Sequence, residues 1–443
     1  MVDAGDQTCA ENQLLHGQKL DVIQKIYDNP FYDPEVADPL NLNLLVADID
    51  VPVFMAGAWQ DEQTGPGFAS LLDKFQSSPL FRATVYNGVH PDGYAPQVLV
   101  ELNNFLSLYV ADEIPVISEL VRSLVPILFQ QQFGDALALP PDRFAEYIGV
   151  ARAKADYEAE KPIRVIFENG AGTGQKPGVP AGAWEANFSA WPPVETAVRR
   201  WYFQPDGTMG EEPPVSDGAS VFSHDPDEGR RSILAPGGDV WATLPQWNWA
   251  QPDPGRAIVF ESETLATDLV MVGFASVDLW IQSTADDADI EVTLSEVRPD
   301  GHEMYVQSGW LRASLRALDE QATELRPVKT YLEKDAQALP SGEWALARVE
   351  MSAFGHAFRA GSRIRVSIDT PGGSRAEWQF ALKEFAPQTE ISVAHSATHP
   401  SSIALPLLPT VAVPATVAIA PCPSLRAQPC REYQSYTNTS AAQ

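Results

Sequence analysis

The sequence predicts an α/β unit followed by an all-β domain, and three observations carry that expectation. Short, continuously apolar runs in the first hundred residues flank a segment of helical spacing, the pattern of parallel strands joined by a crossover. From residue 215 to 390 the pattern changes to short alternating runs separated by Pro-Asp-Gly and Gly-Gly turns, which indicates an antiparallel sandwich of jelly-roll type. The composition, 44% hydrophobic and 20% charged over 443 residues, is that of a globular chain of about two or three domains.

Taken in order, residues 1–46 are polar and mixed, with a short helical pattern at Leu20, Ile23 and Ile26. Val51 to Ala56 is the first strand: uninterrupted apolarity over so few residues suits burial on both faces, and Pro52 suits the strand start. Gly67 to Phe75, with Phe68, Leu71, Leu72 and Phe75 at helical spacing, predicts a crossover helix, and Phe81 to Tyr86 the next strand. Two apolar helices follow, one carrying Val98, Leu102, Phe105 and Tyr109, the other Ile117, Leu120, Leu124 and Leu128. Glu101, Asp112, Glu119 and Arg122 interrupt them, which speaks against membrane insertion and for a buried helix pair or a lid, with plain core packing the simpler reading. Leu139 to Pro214 reads as a looser stretch rich in Gly, Pro and Trp. Ala275–Ile281, Asp289–Leu294 and Arg363–Ile368 then alternate as strands, the last with Ile364, Val366 and Ile368 on one face.

Charge and cysteine content exclude several function classes. Lys and Arg total 30 against 59 Asp and Glu, a formal net charge of −29, which repels phosphate backbones and anionic lipid, so no nucleic-acid partner is expected. No stretch reaches the length of a membrane span. The three cysteines build neither a disulfide framework nor zinc spacing, so no metal or other cofactor is expected. Cys422 and Cys430 lie close together in a Pro-rich tail and can close a small loop, which leaves Cys9 single. The opening Met-Val-Asp-Ala-Gly-Asp has neither the basic nor the apolar region of a signal peptide.

In parallel α/β sheets the functional groups gather beyond the carboxyl ends of the strands. Here the first strand leads into Ala58-Trp59-Gln60-Asp61 and the second into Asn87-Gly88-Val89-His90. An Asp and a His thus leave the same edge of adjacent strands, as an imidazole base and its orienting carboxylate require. Position alone leaves the bland roles open: a turn or N-cap for Asp61, a surface histidine for His90.

The same residues resemble a known family. Gly57-Ala-Trp-Gln-Asp61 and Gly88-Val-His90 are similar to the Gly-Trp-x-Asp and Gly-x-x-His segments of CocE/NonD hydrolases, which include cocaine esterase and the Xaa-Pro dipeptidyl-peptidases. Asp268 to Trp280 resembles the family's Val-x-Gly segment, Asp289 to Gly301 its hairpin, and Ser308 to Arg316 its Gly-x-Leu-Arg-x-Ser-x-Arg strand. Phe358 to Val366 follows in the expected order, and Trp184 with Trp191-Pro192-Pro193 resembles the linker into that domain. The resemblance runs over about residues 45–385.

It implies the C-terminal part of an α/β-hydrolase domain followed by a β jelly roll of the galactose-binding-like kind. Residues 1–46 would be the end of a cap region, 47–195 the hydrolase part with its helical insertion and linker, 196–390 the jelly roll and 391–443 a Pro-rich tail. It further implies Ser-His-Asp chemistry on small-molecule esters, amides or Xaa-Pro peptides, with Asp61 as triad acid and His90 as general base; Asp before His agrees with the chain order of such hydrolases. The family's nucleophile sits in a Gly-x-Ser-x-x-Gly elbow upstream of the acid, and no such motif occurs here. Gly218-Ala-Ser220 and Gly372-Gly-Ser374 are incomplete and lie in the wrong domain, and only 60 residues precede Asp61. The implied serine therefore belongs to a missing N-terminal half, which becomes the expected partner and a candidate to bond Cys9. Ser70 is a poorer nucleophile, because a crossover helix lacks the strained turn that exposes an elbow hydroxyl. Acidity, few lysines and a Cys422–Cys430 bridge lean towards a secreted or periplasmic parent, with a cytoplasmic one as the alternative. The alternative function is a non-catalytic jelly-roll binding module or pseudoenzyme.

Overall fold

The computed structural model of the chain describes residues 5, 7–8, 11–12, 22–225, 233–372, 380–386 and 388–441. Leu20, Cys9 and Ser374 lie outside the described residues. The N-terminal helical pattern falls on a helix at Val22–Asp28.

Val53–Ala58 (β1) and Phe81–Tyr86 (β2) pair in parallel, from Val53 opposite Phe81 to Ala58 opposite Tyr86. The segment between them departs from the expected crossover helix. Only Pro66–Leu71 is helical, as a 3₁₀ turn. Gly67 and Ser70 are weak helix formers, while Phe68 stacks on Trp59 and Phe75 on Phe81. Anchoring both ends by aromatic contacts favours a tight turn over a propagating helix.

Helices Pro96–Leu106 (α1) and Glu119–Phe133 (α2) occupy the predicted apolar stretches, and a π turn at Ser107–Ala111 extends α1. Core packing describes α1, whose Val98 joins Ala58, Tyr86, Ala95 and Ile166 on one face of the sheet. It does not describe α2: Phe129 and Phe133 are buried, whereas Leu120, Leu124, Ile127 and Leu128 face solvent. The stretch expected to be loose holds regular structure: Val150–Ala159 (α3), Ile163–Phe167 (β3), Trp184–Phe188 (β4), Ala197–Phe203 (β5) and Thr208–Gly210 (β6). β3 is hard to read because Arg164 breaks its apolar run; its guanidinium leaves the sheet to reach Glu185 and the carbonyl of Gln97. β3 joins β2 in parallel and β4 joins β3 antiparallel, which completes a four-stranded sheet in the order β1-β2-β3-β4.

The rest is β-structure: Ala219–Ser223 (β7), Ala257–Ser262 (β8), Leu269–Ser283 (β9), Asp289–Val297 (β10), His302–Arg312 (β11), Ala345–Phe358 (β12), Arg363–Asp369 (β13), Glu390–Ala394 (β14) and Ser402–Leu407 (β15). Nine of the strands close a ring in the order β12-β11-β10-β13-β8-β6-β5-β15-β9 and back to β12. All ring pairings are antiparallel except β6 with β8. The alternation of Ile364, Val366 and Ile368 serves as expected: all three enter the apolar interior with Ile290, Val292 and Leu294. At the seam between β11 and β12, Gly309 faces Met351, and a Cβ there would lie 2.3 Å from the Glu350 carbonyl oxygen, so the closure requires glycine.

Sheet and ring share a second core. Ala83, Val85, Ile163, Val165 and Phe167 turn one sheet face onto Val270, Val272, Phe274, Ala353 and Ala357 of β9 and β12. Trp59 fills the junction, fully buried, stacked between Phe68 and Trp191.

Candidate active site

β1 and β2 end side by side, and the backbone continues the register for one more step: Trp59 N–H donates to the Tyr86 carbonyl at 2.8 Å. Asp61 follows three residues after Ala58, and His90 four after Tyr86. The structure brings these two side chains together, with His90 Nδ1 2.8 Å from Asp61 Oδ2. The other carboxylate oxygen of Asp61 accepts from the backbone N–H groups of Gln63 (2.8 Å) and Thr64 (2.7 Å), which fixes its rotamer. The turn role open to Asp61 in the sequence and the contact to His90 thus coexist, one on each oxygen. The Asp61 side chain is 8% exposed and the His90 side chain 46%. A buried acceptor on Nδ1 leaves the imidazole face reachable from solvent, and a hydrogen bond at Nδ1 places the basic lone pair on Nε2.

Several groups that sequence reasoning overlooks hold this arrangement. Glu62, buried, accepts the backbone N–H of His90 at 2.9 Å and also the indole N–H of Trp241. Asp92, fully buried, accepts the backbone N–H of Val89 at 3.1 Å and closes the turn on which His90 sits. A Cβ on Gly88 would stand 2.3 Å from the same carboxylate, so the turn needs glycine. Gln60 spans three elements: its Oε1 accepts from Gly88 N–H (3.1 Å) and its Nε2 donates to the Val306 carbonyl (3.0 Å). Val306 is free to accept because β11 bulges there, Leu294 pairing with Gln307 and Ser295 with Tyr305. A second bulge in β12, between Met351 and Phe354, turns out the carbonyl of Ala353. Gln307 Nε2 donates to that carbonyl (3.1 Å) and to the carbonyl of Trp59 (3.0 Å). At the end of β3, Glu168 pairs with Arg359 of the ring at 2.8 Å, while burial pushes its carboxyl above the ordinary range against the pull of Arg359. The ends of β1 and β3 thus bond to the ring directly, and the end of β2 is tied to it through Gln60.

A cleft of about 540 Å³ opens at the pair. Met55 to Ala58 along β1, Phe68, Tyr86 and Tyr94 line it together with Asp61 and His90. Burial raises Tyr86 well above the ordinary phenol range, so it stays protonated beside the carboxylates of Asp92 and Asp61. Ser70 borders the same cleft, but its hydroxyl donates to the Gly67 carbonyl at 2.8 Å. Ser220 is buried in β7 and hydrogen-bonded to His395 Nε2 at 3.1 Å, so the sequence's incomplete elbow there is a strand interior. Among the described residues no cluster of three His, Cys, Asp or Glu side chains suits a metal ion, and no helix is long and apolar enough to cross a membrane.

Comparison with curated proteins gives no significant match. Among solved structures, a CocE/NonD family hydrolase from Staphylococcus aureus superposes with a TM-score of 0.61 at 15% identity, over 88% of this chain and 59% of that one. An aminopeptidase from the marine sediment archaeon Thaumarchaeota archaeon gives 0.58 at 18% identity, over 88% and 61%. An α-amino acid ester hydrolase gives 0.53 at 16% identity, over 89% and 62%. At these identities the likeness is one of fold, and the chain spans about three-fifths of the length of each of these proteins. Residues 157–403, more than half of the chain, match the family described as the X-Pro dipeptidyl-peptidase C-terminal non-catalytic domain, and by that match, with the fold shared across CocE/NonD-like structures, the chain belongs to this family.

Proposed function

We propose that this chain supplies the acid and the base of a serine hydrolase acting on small-molecule esters or amides, Xaa-Pro peptides among them. One observation carries the reading: a half-exposed imidazole whose Nδ1 lies 2.8 Å from a buried carboxylate, at the carboxyl ends of adjacent parallel strands, in a cleft. In this reading His90 takes the proton of an attacking serine hydroxyl through Nε2 and returns it to the leaving group. Asp61 fixes the tautomer and steadies the imidazolium.

The serine and the oxyanion donors come from polypeptide outside these 443 residues, which contain no Gly-x-Ser-x-x-Gly segment. The four-stranded sheet is then the C-terminal part of an α/β-hydrolase sheet (residues 47–195, after a cap-derived 1–46), and the ring is a jelly roll that begins near residue 196 and runs past the expected boundary at 390, because β15 (Ser402–Leu407) pairs inside it; the tail starts after that strand. A secreted or periplasmic parent suits the Cys422–Cys430 bridge.

Labelling with a fluorophosphonate, which esterifies activated serines, tests the reading. The chain alone should take up no label, and the chain joined to the segment bearing the elbow should take up one label that depends on His90. A labelled serine inside this chain, or labelling indifferent to His90→Ala, overturns it. The family's description as a non-catalytic domain favours a second reading for the ring alone, a binding module; saturable glycan or peptide binding unchanged by Asp61→Asn would support that reading instead.

A further inference from the structure

The loop closed by the Cys422–Cys430 disulfide lies beyond residues 157–403 and far from His90 in sequence, yet it ends beneath that residue. Its central side chain, Arg426, is 3% exposed and grips Asp92, which is 0% exposed: Nη2 to Oδ1 at 2.7 Å, Nε to both oxygens at 3.0 and 3.1 Å. Arg426 Nη1 donates to the Ala242 carbonyl at 2.7 Å. The loop backbone is seated as firmly. Arg426 N–H donates to the Asn169 carbonyl (2.8 Å), and Asn87 Nδ2, immediately after β2, donates to the Arg426 carbonyl (3.1 Å). Gly170 makes room for the crossing: a Cβ there would lie 2.1 Å from the Ser424 carbonyl oxygen. Leu425 packs with Met304 and Ala420.

Asp92 is the group that closes the Val89–Asp92 turn, through Val89 N–H. A carboxylate with no solvent contact holds that position as long as a counter-charge faces it; without one, opening to water is the way to hydrate it. Opening this turn carries off the backbone that aims His90 at Asp61.

We propose that Arg426, presented by the disulfide-closed loop, is the positioning residue for His90: through Asp92 it fixes the turn that sets the His90–Asp61 contact. This rests on the reading of His90 as the base, but the test reads geometry rather than hydrolysis. In protein carrying ¹⁵N-labelled histidine, the Nδ1–H proton of His90 is followed by NMR for its exchange with water, its assignment fixed by loss in His90→Ala. Arg426→Gln should accelerate that exchange about tenfold or more, since it leaves a buried charge unpaired beneath the turn. The double variant Arg426→Gln/Asp92→Asn removes both charges and keeps an acceptor for Val89 N–H, and should return the exchange to within about threefold of the parent.

Where Arg426→Gln does not fold, reduction with dithiothreitol supplies the second arm. The reagent's two thiols become its cyclic disulfide while Cys422 and Cys430 become two thiols, and the freed loop should likewise accelerate exchange. A lowered melting temperature with the His90 proton unmoved, or no rescue by the neutral pair, overturns the proposal. If the parent protein shows no protected His90 proton, both this inference and the hydrolase reading fall. If exchange responds as stated but no serine is ever labelled, only the hydrolase reading falls.

Discussion

Truncation of Gln60 to alanine tests how the strand ends beneath the cleft are held. The side chain is 1% exposed; it accepts from Gly88 N–H and donates to the carbonyl that the β11 bulge turns out at Val306. Gly88 and Val306 are both buried, so neither backbone group gains water readily once alanine is in place. Each buried group left unpaired costs about 1–3 kcal/mol, so the pair costs about 2–6 kcal/mol. The assay is urea unfolding followed by tryptophan fluorescence, comparing midpoints at constant m-value. The account expects a clearly lower midpoint for the transition that exposes Trp59. Gln60→Glu should behave similarly, since a carboxylate keeps the acceptor for Gly88 but cannot donate to Val306. A change below about 0.5 kcal/mol, the range of an ordinary surface substitution, would refute the claim that this glutamine joins sheet and ring.

Other consequences are simpler to state. Burial pushes Glu291 up to about 7, even though the Gly372 N–H and the Trp310 and Ser308 side chains favour its charged form. A raised carboxyl favours the fold fully below its unfolded value of 4.5 and loses that contribution as pH rises through about 7. Glu291→Gln should therefore flatten the stability profile between those two values and be more stable than the parent above them, by on the order of 3 kcal/mol. An unchanged pH slope would speak against the buried setting. At the ring seam, Gly309→Ala drives a methyl into the Glu350 backbone and should cost about 1–3 kcal/mol in thermal or urea unfolding. Burial works against the charge on Glu303 as well, but Arg431 and Arg365 outweigh it and hold its carboxyl below the ordinary range. Replacement of Arg365 by methionine removes one of the two counter-charges from this buried carboxylate and should cost about 3 kcal/mol at neutral pH.

What the sequence discloses and what it conceals divide along contact distance. Asp61 and His90 are legible because each follows directly on a compact apolar run, and a parallel pair sends both groups to one edge. The ring strands are legible because alternation is local, as at Ile364, Val366 and Ile368. Gln60 and Gln307 are not, since each donates to a backbone carbonyl about 250 residues away, and the Val306 and Ala353 carbonyls they take are turned out by strand bulges. Arg426 stands even further from Asp92, in a segment that reads only as a Pro-rich tail, although Ser402–Leu407 just before it is a ring strand. The crossover misleads for the opposite reason: Phe68, Leu71, Leu72 and Phe75 have helical spacing, and aromatic packing at each end overrides it. For α2 the apolar run is visible, but which side of it faces protein is not, and Leu120, Leu124, Ile127 and Leu128 lie outward.

The most direct test of the Asp61–His90 pair is the rate at which the chain, joined to the polypeptide bearing the serine, hydrolyses an activated ester. Parent, His90→Ala and Asp61→Asn should be compared after each is shown to unfold like the parent. His90 is half-exposed, so its removal should shift stability by no more than about 0.5 kcal/mol. The account predicts that each substitution lowers kcat by about 10⁴-fold or more while folding is retained. Hydrolysis that survives both substitutions within a few-fold would contradict it.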